Sequence, residues 1–121
     1  MNAREDGARF EDLALAHLEH AGLALIERNY ACRFGELDLV MRDRDVVVFV
    51  EVRYRRASAH FGDGVDSVGP AKRAKLARAA AAFLAARPRL AQCACRFDVV
   101  AIGGRLDAPS IDWRRGAFEA G

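Results

Sequence analysis

Apolar and polar residues repeat with two different periods along this chain. Phe10, Leu13, Ala14, His17, Leu18 and Ala21 recur in three- and four-residue steps, the spacing of one helical face. That pattern predicts an N-terminal helix closed by Gly22, the residue type that ends helices with a left-handed turn. "LALIERNY" reads as a short strand with Ile26 and its neighbours buried, and "ACRFG" as a connection. From residue 35 onward the period falls to two. Glu36, Asp38 and Val40 are expected on one face of a strand, and Leu37, Leu39 and Met41 on the other. "RDRD" is a polar turn, and "VVVFVEVRYRR" is too rich in β-branched residues to be anything but a strand, so the two runs make a β-hairpin. In its second strand Phe49, Glu51 and Arg53 share one face, and Val48, Val50, Val52 and Tyr54 the other.

"ASAHFGDGVDSVGP", residues 57–70, carries the Gly, Ser and Asp of a loop. Pro70 then opens a helix, since proline is tolerated in a first turn. Leu76, Ala79, Ala80, Phe83 and Leu84 form its apolar stripe, and Pro88 limits it. "CACRFDVVAI" is a further strand, with Phe97, Val99 and Ala101 alternating against Asp98, Val100 and Ile102 and Gly103-Gly104 ending it. The segment 106–121, with "IDWRRGAF", is a final strand or a short docking segment built on Ile111, Trp113 and Phe118, a possible homodimer or partner surface. The order α-β-β-β-α-β predicts an α/β fold, a mixed sheet with helices packed on it. With 121 residues and no internal repeat, one domain spanning 1–121 is expected.

Composition excludes several classes. The chain is 52% hydrophobic and 30% charged, as in globular proteins, and its net charge of +2 does not by itself announce a nucleic-acid binder. Three cysteines, Cys32, Cys93 and Cys95, make no disulfide framework, and His17 and His20 lack the second ligand pair that zinc needs. The longest apolar runs fall far short of the roughly 20 residues that cross a bilayer. No secretory leader is recognisable, so a cytoplasmic protein without membrane association is expected. Ser58 and Ser67 lack a His-acid pattern, which argues against a serine hydrolase. His60 lies in the loop. The cations are almost all arginine, which suits phosphate recognition through its planar fork. Arg53, Arg55 and Arg56 make a basic strand end, and Lys72, Arg73, Lys75 and Arg78 line the start of the second helix. These are candidate phosphate contacts, or a solvated face. Tyr54 is a candidate for stacking on a base, or a core residue. Asp98 reads as structural, paired with Arg96.

The acids of the hairpin change the picture most. Glu36, Asp38 and Glu51 sit on strands whose neighbours are apolar. A carboxylate in such a strand needs a cation, a metal or a proton, because its desolvation is expensive. Carboxylates on neighbouring strands can hold Mg²⁺ or Mn²⁺, the oxygen-seeking ions that phosphodiester hydrolysis uses. The competing reading is a solvated hairpin face paired with arginines.

"GARFEDLALAHLEHAG", "LIERNYACRFGELDLVMRD", "VVVFVEVRYR", "VGPAKRAKLARAAAAFL", "CRFDVVAI" and "IDWRRGAF" together resemble the YraN family of small bacterial proteins, over nearly the whole chain. The resemblance implies a restriction-endonuclease-like fold, similar to the PD-(D/E)xK nucleases and archaeal Holliday-junction resolvases. It implies Asp38 as the motif aspartate, Glu51 as the second acid and Arg53 where a lysine usually stands. Glu11 resembles an N-terminal helix glutamate on the metal side, and Glu36 an acid particular to the family. The implied metal ligands are thus Asp38, Glu51, Glu11 and Glu36, with Mg²⁺ or Mn²⁺ as cofactor and DNA, branched or junction DNA by analogy, as partner. Arg53 is a departure: an arginine is effectively never deprotonated and cannot act as a general base. Three functions remain open at this point: a nuclease, a non-catalytic nucleic-acid-binding module, and a protein-interaction module with an acidic pocket.

Overall fold

The first helix, α1 (Ala3–His20), forms where the three-and-four spacing predicts it. Its stripe delivers Ala14 and Leu18 to full burial. It closes with paired hydrogen bonds, from Leu23 N to Leu18 O at 3.0 Å and from Gly22 N to Glu19 O at 3.0 Å. Gly22 sits at φ 103°, which a side chain would disfavour. These elements belong to a computed structural model that describes residues 3–55, 68–105 and 107–119, with side chains from residue 7 onward. Arg56, Ser58, His60, Ser67 and the 57–67 part of the predicted loop lie outside the described residues.

After α1 come β1 (Ala24–Cys32), β2 (Gly35–Asp43) and β3 (Val46–Tyr54), then α2 (Pro70–Ala85), a one-turn α3 (Pro88–Ala91), β4 (Ala94–Arg105) and β5 (Ala108–Phe118). The five strands lie side by side in chain order. Neighbours pair antiparallel except β3 and β4, which run parallel because α2 carries the chain across between them. The fold is therefore the expected mixed sheet flanked by helices. One apolar cluster joins Leu76, Ala79, Ala80 and Phe83 of α2 to Val47, Phe49, Phe97, Val99 and Ala101 on one face. The other joins Ala14 and Leu18 of α1 to Val48, Val50, Val100 and Ile102 on the opposite face. Both faces of β3 and β4 are covered, which is why their sequences are apolar at nearly every position. No helix among the described residues is long and apolar enough to cross a membrane. The three cysteines are free thiols.

Four local readings need correction. β1 is longer and less buried than expected: it runs to Cys32, and Ile26 is only partly buried, at a bulge between Leu25 and Glu27. Pro88 does not merely limit α2 but opens α3. Gly103-Gly104 does not end β4, which continues to Arg105; Gly104, at φ 77°, sits by the β4–β5 hairpin, where an added Cβ would meet Ala108 O at 2.9 Å. Of the two readings of the C-terminal segment the strand holds: it is β5, with Phe118 stacked on Phe97.

The fourth correction bears on the site. Strict alternation places Leu37 with Leu39 and Met41. Instead Leu37 packs with Val40 on the α2 side, while Leu39 and Met41 pack on the α1 side. The strand turns about Asp38, between them. The β2–β3 register runs from Asp43↔Val46 to Leu39↔Val50 and stops there. Beyond it the Asp38 carboxylate accepts the Val52 N–H at 2.8 Å, so a side chain takes over from the ladder.

Candidate functional site

Asp38 therefore stands in the gap where β2 and β3 part, reachable from both faces of the sheet. On the α1 side, Glu11, Glu36 and Asp38 each place a carboxylate oxygen within 4.8 Å of the others. Glu11 comes from the middle of α1, Glu36 from the exposed start of β2. Asn29 joins two of them. With its amide nitrogen turned toward the acids, the orientation that satisfies both ends of the group, it donates to Glu11 Oε1 and Glu36 Oε1, each at 2.9 Å. Asn29 lies in β1 at φ 56°, a left-handed conformation that asparagine tolerates better than most residues. Arg28 also faces this group, 3.5 Å from Glu11 Oε1 and 2.7 Å from Asp12 Oδ1.

On the α2 side, β3 presents Glu51, 7% exposed, beside Asp38. Its carboxyl lies close enough to Asp38 to disfavour the charged form there, a conflict that a proton or a cation relieves. Burial, followed by the hydrogen bond to and charge of Glu51, pushes the Asp38 carboxyl up to about 7, against the pull of the Val52 N–H and Lys72. Burial, and next the charge of Asp38, likewise raises Glu11, with Arg28 opposing. Glu51 Oε2 is buried and has no hydrogen-bond partner. The Lys72 ammonium, reaching down from the first turn of α2, stands 3.4 Å from it. This is an ion pair without a formed hydrogen bond.

The sequence-derived candidates thus separate. Glu11, Glu36, Asp38 and Glu51 converge, with Asp38 common to both sides. Arg53 follows Glu51 on the same strand, partly buried, opposite Ala101 of β4. Arg55 donates its backbone N–H to Ile102 O at 2.7 Å and its Nη2 to Ser110 Oγ at 3.1 Å, along the β4–β5 hairpin. Arg73 donates Nε to Val68 O at 2.7 Å and lies over the Phe118 ring. Tyr54 is 53% exposed and stacked on Phe10, with ring centroids 4.7 Å apart. Trp113 packs inward and donates Nε1 to Asp98. Asp98 is wholly buried and structural: Arg96, Trp113 and the Gly116 N–H satisfy it. A surface cavity of about 670 Å³ lies at the other end of β2, around Asp43, Arg44 and Asp45, and none of the converging acids lines it.

Sequence reasoning missed Asn29 and Arg28. Neither carries a periodic signal, and only the pairing of β1 with β2 brings them to the acids. Lys72 was placed on a helix face as a phosphate contact, with no sign that it reaches Glu51.

Helices on both faces of a mixed sheet, with carboxylates gathered where two central strands part, define an α/β protein with a candidate cation site. The chain belongs to the Uncharacterised protein family UPF0102, the YraN family, whose model matches residues 10–102. It is similar to UPF0102 proteins of Stutzerimonas stutzeri (52% identical, covering 98% of each chain) and Nitrosococcus oceani (48%, covering 95% of this chain and 92% of the relative). A UPF0102 protein of Xanthomonas campestris is 54% identical over 95% of this chain and 92% of its own.

Proposed function

We propose that the chain is a metal-dependent, nuclease-like protein that binds DNA and hydrolyses its phosphodiester bonds, with branched or junction DNA as the substrate by analogy. One observation carries the reading. Buried Glu51, with an oxygen that no donor satisfies, adjoins an aspartate that burial and this neighbour push up to about 7. Negative charge is concentrated here beyond what Lys72, Arg28 and Asn29 offset, and a divalent cation with oxygen ligands fits that excess. Asp38 would be the common ligand, with Glu51 on one side and Glu11 and Glu36 on the other. Mg²⁺ or Mn²⁺, once bound, would supply positive charge to the phosphoryl oxygens and to the attacking water. The chain's own part is to orient the ligands. The Val52 N–H orients Asp38, and Asn29 fixes the spacing of Glu11 and Glu36. Arg53, on the same strand as Glu51, is suited to neutralising phosphate charge.

The test is cleavage of single-stranded, duplex and branched DNA with Mn²⁺, comparing the native chain with Asp38→Asn. Cleavage by the native chain that is lost in Asp38→Asn supports the reading. An inert native chain on all three substrates refutes the enzyme. Arg53 in the lysine position favours one second reading, a protein of this fold that binds DNA without cutting it. That reading expects salt-sensitive binding that survives Glu51→Gln, with no cleavage.

A further inference from the structure

We propose that Lys72, from the first turn of α2, is the cation that contacts the scissile phosphate and the attacking water, in place of the lysine that the resemblance puts at the position of Arg53. This inference deepens the nuclease reading and rests on it. Lys72 Nζ stands 3.4 Å from Glu51 Oε2, the buried oxygen that lacks a hydrogen bond. The Lys72 side chain is 44% exposed and that of Glu51 8%. The ammonium thus lies at the boundary between the buried acid and solvent, where a phosphodiester would arrive. Its charge also reaches Asp38, whose carboxyl it pulls downward.

The helix turn that carries it is held firmly. Gly69 caps α2, Pro70 starts it, Arg73 N bonds Gly69 O at 3.0 Å and Arg73 Nε bonds Val68 O at 2.7 Å. One turn further on, Leu76 is buried in the core. Packing therefore fixes the turn from which Lys72 reaches Glu51.

The residue type is informative in this chain. Of its 19 cationic residues only Lys72 and Lys75 are lysines, both on α2. A lysine is also the better shape. Its ammonium is a compact charge with three donors that rotate freely, so it can hold Glu51, a phosphoryl oxygen and a water together. A guanidinium would present a planar fork to one carboxylate. In the step itself, the water oxygen forms a bond to phosphorus and one phosphoester P–O bond breaks. The water gives a proton to solvent, and the departing alkoxide takes one from solvent. One diester and one water become one monoester and one alcohol. Lys72 keeps its proton throughout, holding the phosphoryl oxygen as charge builds there.

The test is Mn²⁺-dependent cleavage of labelled single-stranded, duplex and branched DNA by the full chain and its variants Lys72→Met, Lys72→Arg, Arg53→Lys and Arg89→Ala. DNA affinity is measured alongside. Arg89 is exposed on α3, away from the acids, and its variant controls for loss of one positive charge. The expected result is a fall in kcat of about 100-fold or more for Lys72→Met, with KM and DNA affinity changed less than about threefold, partial recovery in Lys72→Arg and none of this in Arg89→Ala. Thermal melts check the fold. If Lys72→Met melts early because Glu51 is left unpaired, the same comparison is made on Lys72→Met/Glu51→Gln against Glu51→Gln alone, where Lys72 must still lower the residual rate. Unchanged cleavage in Lys72→Met overturns the inference while leaving the nuclease reading intact. So does a loss of binding that accounts for the whole loss of rate. Activity gained only in Arg53→Lys, with the native chain inert, overturns the inference and the enzyme reading of the native chain together. A native chain and an Arg53→Lys variant that are both inert refute the nuclease reading and this inference with it.

Discussion

Asp38 is the residue on which both halves of the site depend, and its protonation links stability to pH. In the folded chain its carboxyl is held up to about 7, against an ordinary value of 3.8. Between those values the folded state binds more protons than the unfolded state, so stability falls as pH rises through this window and levels off above it. The contribution is complete below the ordinary value and lost above the raised one. In chelator, urea midpoints are therefore expected to drop between about pH 5 and about pH 8 from this group. Midpoints that rise across that range once other carboxylates are accounted for would contradict the placement of Asp38 beside Glu51. Asp38→Asn removes the charge but keeps an oxygen for the Val52 N–H. It should flatten that slope and stabilise the metal-free protein by roughly 1–3 kcal/mol near pH 8, read from the same denaturation curves. Glu51→Gln should reduce the slope only in part, because burial, the larger cause, still holds the Asp38 carboxyl up.

At the scale of elements, the helices and the hairpin were legible because their periods are local. The stripe from Phe10 to Leu18 and the alternation through Phe97, Val99 and Ala101 both appear in the packing as read. What parity could not foresee was the turn of β2 about Asp38, since it arises where pairing with β3 stops and a side chain takes the next N–H. The same limit hid Asn29 and Lys72, whose partners lie on elements distant in sequence. The length of β5 was also hard to read, because Pro109, Ser110, Arg114 and Arg115 break the alternation that marks a half-buried strand. The hairpin that β5 makes with β4 depends on Gly104. Gly104→Ala would meet Ala108 O and keep an unfavourable φ of 77°, so it should destabilise the fold by about 1–3 kcal/mol. A melting temperature unchanged in that variant would mean that the hairpin is not closed as described.

For the molecule as a whole, two apolar clusters on opposite faces account for the fold, and the acids sit where the sheet between them opens. A cation that binds only the folded chain must raise its stability by mass action. At a hundredfold excess over Kd the gain is about 2.7 kcal/mol, which for a domain of this size is several degrees in Tm. Millimolar Mn²⁺ or Mg²⁺ should therefore raise the melting temperature of the native chain and not that of Asp38→Asn. A native melting curve indifferent to both ions would remove the cation site. The family assignment extends over most of the chain, and relatives near 50% identity offer a ready set of natural variants for the same melts.

The opening of the sheet at Asp38 has a consequence for motion. One carboxylate there stands near Glu11 of the α1 layer and near Glu51, which pairs with Lys72 of the α2 layer, while it accepts the amide of Val52. Anything that neutralises it should quieten three separate segments at once. Amide hydrogen exchange should slow together at Val52, around Glu11 and in the first turn of α2 when the cation is added. Exchange that slows in one layer alone would show that the two helices answer to different occupants.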